Sequence, residues 1–327
     1  MKKIKVLHQV LDPSGAGGVS AEFRALKSSG LDNKYEFIPM ILRDYKSGLN
    51  IHDILFYFRE IKEINPDIIH VRGAAIDGLN AVIAAKFARC GKILVTVHGM
   101  YSDLVYIHPL KRWISKYIVE WLIFKLSDGI SCVCEKAMNR TYFDRYRKKM
   151  LPYVYNRMPI FDENLKEKFH NLIRNKYNIP KEAKVCLYVG RMTKEKGLLY
   201  FIYALNELKK DWPSNLVFLF VGDGEYRKIM QEACISFGNN VIFTGNQKNV
   251  EMFYDAADFF IQPSLHENHS ISLLEASAAN LPSIVTDCGG NTEIIDDDIG
   301  IIIPTRDSQK IVEAVKTMCE DEKRLYY

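Results

Sequence analysis

The sequence alternates short apolar runs with amphipathic segments, and this alternation occurs twice along the 327 residues. Residues 92–97 are rich in β-branched side chains, which is typical of a parallel strand buried on both faces. Helical spacing follows many of these runs, as over residues 51–64 and 74–89. Strands that alternate with helices indicate a doubly wound parallel sheet. The predicted strands are residues 3–10, 35–42, 66–71, 92–97 and 129–133, then 185–189, 217–221, 241–243, 259–261, 283–285 and 301–303.

The alternation lapses over residues 152–179, where charged and polar residues dominate, and it then restarts. We therefore predict the α/β class, with two Rossmann-like doubly wound parallel-sheet domains at residues 1–160 and 161–327, facing each other across a cleft. The final helix is predicted from residue 308 to residue 327, and no cap or further element follows it. This abrupt end suggests that a natural C-terminal segment is lacking.

Composition restricts the class of protein. With 48% hydrophobic and 26% charged residues, the chain can bury ordinary globular cores. The seven cysteines are scattered without zinc-ribbon spacing, so we expect reduced core residues of a cytosolic protein. We find neither a signal peptide nor the roughly 18 uncharged apolar residues of a membrane span. A cytoplasmic location is therefore expected.

Charge is unevenly distributed along the chain. Residues 1–150 carry a net charge of +9, from 24 Lys and Arg against 15 Asp and Glu, and the remainder carries −5, from 20 against 25. The basic half should therefore face an anionic partner. Its most basic part is the segment 108–149, which opens with a predicted aromatic helix over residues 108–126.

Two interpretations of this helix remain open. A basic amphipathic surface that carries Trp113, Tyr117, Trp121 and Phe124 suits peripheral binding to an anionic membrane, on the inner face of the cell membrane. Alternatively, the aromatic stripe packs in the core and the charges are simply solvated. Nucleic acid is disfavoured as a partner, because the aromatic residues do not interleave with a basic strand face.

A polar loop over residues 262–270 separates a predicted strand from a predicted helix. Asn268 or Ser270 is the expected N-cap of that helix. A helix that starts after a strand's carboxyl end is a common binding place for anionic ligands. Glu267 and Glu275 flank the helix start and would suit sugar hydroxyls. The segment therefore predicts a pocket for a sugar nucleotide.

A second loop, residues 190–197, also leads from a strand to a helix. Gly190 permits close backbone approach, while Arg191 and Lys196 offer a guanidinium fork and a point charge. This combination suits a diphosphate. The alternative is a solvated basic turn.

Taken together, these motifs resemble the retaining GT-B glycosyltransferases of family GT4, the glycosyl transferases group 1. The resemblance rests on Gly-Arg-x4-Lys-Gly at 190–197, Gly-Asp-Gly at 222–224 and Glu-x7-Glu at 267–275. Further motifs stand in the expected order at residues 66–70, 96–99, 127–135, 155–156 and 287–293. The segment after Glu267 departs from the usual pattern, which leaves the donor sugar open.

The resemblance implies a metal-independent hexosyltransferase that needs no cofactor. It would move a sugar from a UDP- or GDP-sugar to a glycan or lipid-linked acceptor, in surface polysaccharide or lipopolysaccharide biosynthesis. The N-terminal domain would lie on the acceptor side, and the C-terminal domain would bind the donor. The cationic clamp would do the work of a metal ion in neutralising the diphosphate.

The resemblance also assigns roles to individual residues. The residues expected to be catalytic are Arg191, Lys196, Glu267 and His98. The residues expected to bind the donor are Gly190, Glu275, Ser270, Ile271, Gly222 and Asn246. Gly17 and Gly18 would let the first loop approach the diphosphate and the acceptor.

Other classes of function remain as alternatives. The loop at residues 15–21, with Asp44 further on, loosely matches a dinucleotide fingerprint, but a nicotinamide dehydrogenase leaves the later motifs unexplained. A sugar-nucleotide epimerase or phosphorylase, or a catalytically silent sugar-nucleotide-binding module, would fit the same fold. A metal site is not expected, because residues 266–269 lack the zinc-helix spacing and residues 296–298 are predicted to form a solvated turn.

Overall fold

The chain divides into two compact units, Met1–Asn156 and Arg157–Tyr327, whereas the sequence predicts the division after residue 160. A computed structural model describes residues 2–10, 23–24, 26–41, 49–296 and 298–320. Each unit contains one parallel sheet, of five and six strands respectively. The predicted α/β class, with one Rossmann-like parallel sheet in each unit, is therefore confirmed.

The N-terminal unit holds a five-stranded sheet of order β2-β1-β3-β4-β5. Its strands are β1 (Ile4–Val10), β2 (Tyr35–Ile41), β3 (Ile68–Arg72), β4 (Lys92–Val97) and β5 (Gly129–Cys132). Its described helices are α1 (Ile51–Ile64), α2 (Ile76–Ala88), α3 (Pro109–Ile114), α4 (Glu120–Leu126) and α5 (Glu135–Met138). Because β1, β3 and β4 are neighbours, the side chains at their carboxyl ends lie along one edge of the sheet.

The C-terminal unit holds a six-stranded sheet of order β11-β10-β9-β6-β7-β8. Its strands are β6 (Lys184–Val189), β7 (Leu216–Val221), β8 (Val241–Gly245), β9 (Phe259–Gln262), β10 (Ser283–Thr286) and β11 (Gly300–Ile303). Its described helices are α6 (Lys166–Lys176), α7 (Leu198–Leu208), α8 (Arg227–Cys234), α9 (Glu251–Asp255), α10 (Ile271–Ala278) and α11 (Ser308–Glu320). The chain runs outward from β6 through β7 to β8 and then returns to β9 on the other side of β6.

Both faces of the second sheet are buried. Alternate residues of β6 and β7 belong to two separate cores: Tyr188 and Phe220 pack on one face, and Leu187 and Leu219 pack on the other. A strand buried on both faces must be apolar throughout, which is why continuous runs mark these strands in the sequence.

One helix was missed by the sequence prediction. Lys166–Lys176 lies within the stretch that was expected to be irregular. Its composition is misleading, because Ile173 and Arg174 are its buried residues and most of the others are polar. The Arg174 guanidinium donates to the carbonyl of Ala183 at 2.9 Å and to Asp258 at 2.7 Å. Tertiary hydrogen bonds therefore help to stabilise a helix that its mostly polar composition does not predict.

The aromatic helix of the N-terminal unit is continuous but irregular. His108 caps it, α3 begins at Pro109, and a π-helical turn over Ser115–Val119 joins α3 to α4. Trp113 is 54% exposed and Tyr117 is 46% exposed, whereas Trp121 and Phe124 pack in the core. The stripe is therefore half exposed and half packed in the core, and membrane binding stays a prediction.

All seven cysteines lie in the described part of the chain as thiols. Four of them, Cys132, Cys134, Cys186 and Cys234, are buried, and the other three are half-buried. Among the described residues, none of the helices has the length and the apolar character that crossing a membrane requires.

Candidate active site

The switch point of the second sheet lies between β6 and β9, where the strand order reverses. In open α/β sheets, ligands bind beyond the strand carboxyl ends at this place. The loop after β6 carries Arg191 and Lys196, and the loop after β9 carries Glu267. The topology therefore brings the two predicted loops side by side.

Backbone packing fixes the distance between these two loops. Gly197 has a φ of 70°, and a Cβ atom there would overlap the carbonyl of Pro263. The Leu265 N–H donates to the Glu195 carbonyl at 2.8 Å. Glycine is needed at residue 197 both for its left-handed backbone and for this close approach.

Lys196 and Glu267 form an ion pair at the switch point. Lys196 Nζ lies 2.5 Å from Glu267 Oε1, and their side chains are 19% and 12% exposed. The same carboxylate oxygen accepts hydrogen bonds from Gln262 Nε2 at 2.6 Å and from Ser264 Oγ at 2.8 Å. Three donors therefore hold Glu267 in one orientation, and Glu267 in turn holds the Lys196 ammonium.

Ser270 connects this network to helix α10. Its hydroxyl donates to Gln262 Oε1 at 2.9 Å and accepts from the Leu273 N–H at 3.3 Å, so Ser270 is the N-cap. Ile271 is the first residue of the helix, where N–H groups have no intrahelical acceptor. Of the two predicted caps, Ser270 is the one that the structure uses.

Glu275 lies in the second turn of the same helix. Its Oε2 accepts a hydrogen bond from the Tyr254 hydroxyl at 2.8 Å. Burial raises the pKa of the Glu275 carboxyl, and the Tyr254 hydrogen bond partly opposes this shift. Glu275 is thus aligned by Tyr254, outside the network around Glu267.

Arg191 stands on the same loop as Lys196, and its side chain is exposed. The Tyr188 hydroxyl donates to the Arg191 carbonyl at 3.0 Å and so supports the loop backbone. The structure therefore joins Lys196 directly to Glu267, and it joins Ser270 to Glu267 through Gln262. Arg191 lies on the same loop as Lys196, and Glu275 lies on the helix that Ser270 caps.

The predicted glycines lie at the ends of adjacent strands. The Gly222 N–H donates to the Gly245 carbonyl at 2.9 Å, and the Gly190 N–H donates to the Val221 carbonyl at 3.0 Å. Gly222 has a φ of 132°, and a Cβ atom there would overlap the Gly190 carbonyl. Asn246 follows β8 directly and is exposed.

The loop after β10 packs against the Glu267 backbone. Gly289 has a φ of 53°, and a Cβ atom there would overlap the Glu267 carbonyl. The Gly290 N–H donates to the Asn268 carbonyl at 2.6 Å. The glycines of the motif at residues 287–293 thus support the loop that carries Glu267.

In the N-terminal unit, His98 follows β4 and contacts a side chain that the sequence prediction did not include. Arg72, the last residue of β3, donates to His98 Nε2 from Nε at 2.9 Å and also from Nη2. Arg72 Nη1 lies 3.2 Å from His8 Nε2. The sequence did hold a signal, since Arg72 and His98 both stand at carboxyl ends of predicted strands.

Several predicted features lie wholly or partly outside the described residues. Gly17 and Gly18, the loop at 15–21 and Asp44 are outside them. Asp296 and Asp298 are exposed in a turn, where Asp296 accepts from the Asp298 N–H at 3.1 Å. Within the described part of the chain, no group of three or more His, Cys, Asp or Glu residues is arranged to hold a metal ion. Metal independence stays a prediction.

Gln262, Ser264 and Tyr254 orient the predicted acids but were not singled out from the sequence. From the sequence alone, Gln262 is interpreted as the last residue of an apolar strand and Tyr254 as a core aromatic residue. These three side chains orient the acids through hydrogen bonds that form only when the sheet is assembled.

Two family models match the chain. The model of glycosyl transferases group 1 matches residues 169–326. The model of glycosyltransferase family 4 matches residues 18–149.

Individual relatives agree with these matches. The chain is 26% identical to the UDP-Gal:alpha-D-GlcNAc-diphosphoundecaprenol alpha-1,3-galactosyltransferase of Escherichia coli, over 98% of this chain and 89% of that protein. It is 28% identical to a putative teichuronic acid biosynthesis glycosyltransferase of Bacillus subtilis, over 86% of this chain and 68% of that protein.

Solved structures share the fold. HepE of Anabaena, crystallised with UDP-glucose, aligns with a TM-score of 0.76 at 16% identity, covering 98% of this chain and 91% of the other. WaaG, a glycosyltransferase involved in lipopolysaccharide biosynthesis, aligns with a TM-score of 0.72 at 18% identity, covering 98% and 92%.

Proposed function

Because this chain belongs to the group 1, family 4 glycosyltransferases, we propose that it is a retaining hexosyltransferase that uses a UDP-sugar and a glycan or lipid-linked acceptor. The relative from Escherichia coli is named for a UDP-Gal donor and an acceptor linked to diphosphoundecaprenol, and HepE was crystallised with UDP-glucose. These names favour UDP over GDP and support a place in surface polysaccharide or lipopolysaccharide biosynthesis.

The ion pair between Lys196 and Glu267 at the switch point is the observation that carries this proposal. Glu267 holds the Lys196 ammonium at the strand ends, where the diphosphate of a donor would lie. Arg191, on the same loop, adds a second cation. As the bond between the sugar and the diphosphate breaks, negative charge grows on the leaving phosphate, and preorganised cations stabilise it.

The hydrogen bonds that Glu267 accepts favour retention of the anomeric configuration without a covalent bond between the sugar and the enzyme. An ammonium, an amide and a hydroxyl all donate to its Oε1. These donors stabilise the carboxylate and weaken it as a nucleophile. We therefore propose attack on the same face of the sugar, with the leaving phosphate oxygen accepting the proton of the acceptor hydroxyl.

We assign the nucleotide ribose to Glu275. Tyr254 orients one carboxylate oxygen, Oε2, and helix α10 presents the carboxylate one turn after Ile271. Hydrogen bonds to charged groups are stronger than neutral ones, so a carboxylate can anchor the hydroxyls of a ribose. The N–H of Ile271 at the helix start suits phosphate. With Arg191 and Lys196 as counter-charges, the reaction as proposed needs no metal ion.

A thermal-shift screen of UDP, GDP and their sugars tests the donor assignment. A ligand present at 100 times its dissociation constant adds about 2.7 kcal/mol of stability, which raises the melting temperature measurably. We expect UDP and one UDP-sugar to stabilise the protein. Stabilisation by GDP alone would contradict the choice of base.

Product analysis by NMR then tests the reaction. We expect acceptor-dependent transfer, with the anomeric configuration of the donor kept in the product. Inversion would contradict the proposed mechanism. Turnover of the donor without an acceptor would favour an epimerase, turnover that depends on phosphate would favour a phosphorylase, and binding without turnover would favour a silent module.

We also propose that the protein acts at the cytoplasmic face of an anionic membrane. Leu110, Trp113, Ile114, Tyr117 and Ile118 are exposed on one helical surface, which we call the aromatic patch. Lys116 and Arg145 supply positive charge beside it, each within 6 Å of the Tyr142 ring. Aromatic and basic side chains together suit the headgroup region, where a lipid-linked acceptor would be found.

A further inference from the structure

A cluster of three histidines and one arginine lies at the carboxyl ends of β1, β3 and β4. His8 belongs to β1, His70 and Arg72 belong to β3, and His98 follows β4. His8 is fully buried, and the other three side chains are half-buried. The cluster lies in the N-terminal unit.

The hydrogen bonds of Arg72 assign the protons of two of these rings. A guanidinium only donates, so a ring nitrogen that it contacts must be an unprotonated acceptor. Arg72 contacts Nε2 of His98 through Nε and Nη2, and it contacts Nε2 of His8 through Nη1. A neutral imidazole carries one proton, so His98 and His8 both carry it on Nδ1.

The same logic extends to the third histidine. His8 Nδ1 lies 3.1 Å from His70 Nδ1, so the His8 N–H donates and His70 Nδ1 accepts. The proton of His70 is then on Nε2, which lies 2.7 Å from Thr96 Oγ1 and donates to it. One guanidinium therefore determines the tautomers of all three rings.

The electrostatics of the cluster keep the rings neutral. Burial lowers the pKa of His70 to about 4. Burial, together with His70, Arg72 and His98, lowers the pKa of His8 to about 2. Burial and the charges of Arg72 and His70 lower the pKa of His98 well below its ordinary value. A second proton on His8 or His98 would place a second cation beside the Arg72 guanidinium.

We propose that Arg72 is a positioning residue that fixes His98 as the neutral Nδ1–H tautomer, so that His98 acts on a bound ligand as a hydrogen-bond donor and not as a proton acceptor. That this ligand is one of the two sugar substrates rests on the proposed function. The tautomer itself rests only on the contacts within the cluster. With Nε2 occupied by the guanidinium fork, the imidazole ring is also held in one rotational position.

Imidazole nitrogen NMR of the ¹⁵N-histidine-labelled protein tests the tautomer directly. The ¹⁵N shifts separate protonated from unprotonated ring nitrogens, and a His98→Asn variant assigns the His98 signals. We expect His98 protonated on Nδ1 and unprotonated on Nε2 across pH 6 to 8. Protonation on Nε2, or an imidazolium in that range, would overturn the proposal, whether or not the protein transfers a sugar.

Variants at Arg72 test its effect on turnover. Arg72→Met removes every donor, and Arg72→Lys keeps the charge without the fork. For Arg72→Met we expect kcat to fall by up to about 100-fold with little change in the donor KM, because a misplacement of about 1 Å in the site can cost that much. Arg72→Lys should recover part of the loss.

Arg112→Met is the matched control, because Arg112 is an arginine of the same unit that donates to the carbonyl of Leu104 at 2.7 Å. Its loss should leave the His98 spectrum unchanged. Equal loss of kcat in Arg72→Met and Arg112→Met, with the His98 tautomer intact in both, would show a merely structural role for Arg72. Loss of the Nδ1–H signature in Arg72→Met alone supports the proposal.

Discussion

Lys196 Nζ and Glu267 Oε1 lie 2.5 Å apart although the two residues are 71 positions apart in the sequence. The pair joins the loops that follow β6 and β9. Largely buried ion pairs cost desolvation energy and often add little net stability. A pair of this kind, at the switch point of the sheet, is therefore better explained by ligand binding than by folding.

Lys196→Met should lower turnover by about 100-fold or more, since it removes one of the charges that stabilise the leaving phosphate. Steady-state kinetics with the donor identified by thermal shift would measure this effect. Lys228→Met is the control, because the Lys228 side chain is 87% exposed and its partner, Glu232, lies one turn away. Turnover of Lys196→Met near that of the control would refute the assigned role.

Glu267→Gln combined with Lys196→Met separates stability from catalysis. Either single change leaves one partner poorly compensated, whereas the double variant removes both charges. We expect urea unfolding to give a coupling free energy of about 0.5–3 kcal/mol. The double variant should regain stability but not turnover. Recovery of turnover would mean that the pair only supports the fold.

Gly197→Ala should destabilise the C-terminal unit by more than about 1 kcal/mol, because the backbone is left-handed and the new Cβ would overlap the Pro263 carbonyl. Gly30→Ala is a matched control, since Gly30 has a similar left-handed backbone, with a φ of 74°, and a Cβ atom there would have no neighbour within 4 Å. The difference between the two free energies of unfolding isolates the clash. Equal losses would contradict the proposed contact between the loops.

Acid should destabilise the protein through its histidine cluster. The folded pKa values of His8 and His70 are lowered to about 2 and about 4, against about 6.5 in the unfolded chain. The unfolded state therefore binds more protons below pH 6.5, and stability falls as the pH falls from 6.5 towards 4. Urea unfolding between pH 7.5 and 4.5 would measure this slope.

Replacing one buried histidine of the cluster should reduce the dependence of the free energy of unfolding on pH. His8→Gln should reduce it by about one proton, or about 1.36 kcal/mol per pH unit at pH values well below 6.5. His52→Gln is the control, because His52 is exposed on α1. A reduction of the same size in His52→Gln would argue against the cluster as the source of the acid sensitivity.

The aromatic patch should bind vesicles that contain anionic lipid and not vesicles of neutral lipid alone. Trp113→Ala combined with Lys116→Gln should weaken co-sedimentation with anionic vesicles, and added salt should weaken it further. Exposed Tyr203, on α7 of the C-terminal unit, offers the control Tyr203→Ala. If the double variant and Tyr203→Ala bind anionic vesicles equally well, the aromatic patch is not the membrane contact.

Much of the fold was predictable from local pattern. The predicted strand at residues 92–97 has the observed bounds of β4, and the predicted helix Ile51–Ile64 has those of α1. The polar loop around Glu267 was also predicted, and of the two predicted helix caps, Asn268 and Ser270, the structure uses Ser270. Helix α6 was missed because most of its residues are polar, and because the tertiary hydrogen bonds of its buried Arg174 leave no signal in the local sequence.

The aromatic stripe shows why side-chain environment is harder to predict than helix formation. Trp113 and Trp121 lie on one continuous helical segment, yet the first is exposed and the second packs in the core. The π-helical turn at Ser115–Val119 shifts the helical phase between them. Local pattern predicted the helix but not which half of the stripe would meet solvent.

By itself, the sequence determined the alternating strands and helices, the second sheet that follows residue 179, and the residue types that suit a nucleotide-sugar. These properties follow from periodicity and from short motifs, which act over a few residues. Only the tertiary structure decided which of those residues touch. Lys196 meets Glu267 because β9 returns beside β6, and Arg72 meets His98 because β3 and β4 are neighbours. Strand order depends on contacts across the whole chain, so a local pattern does not specify it.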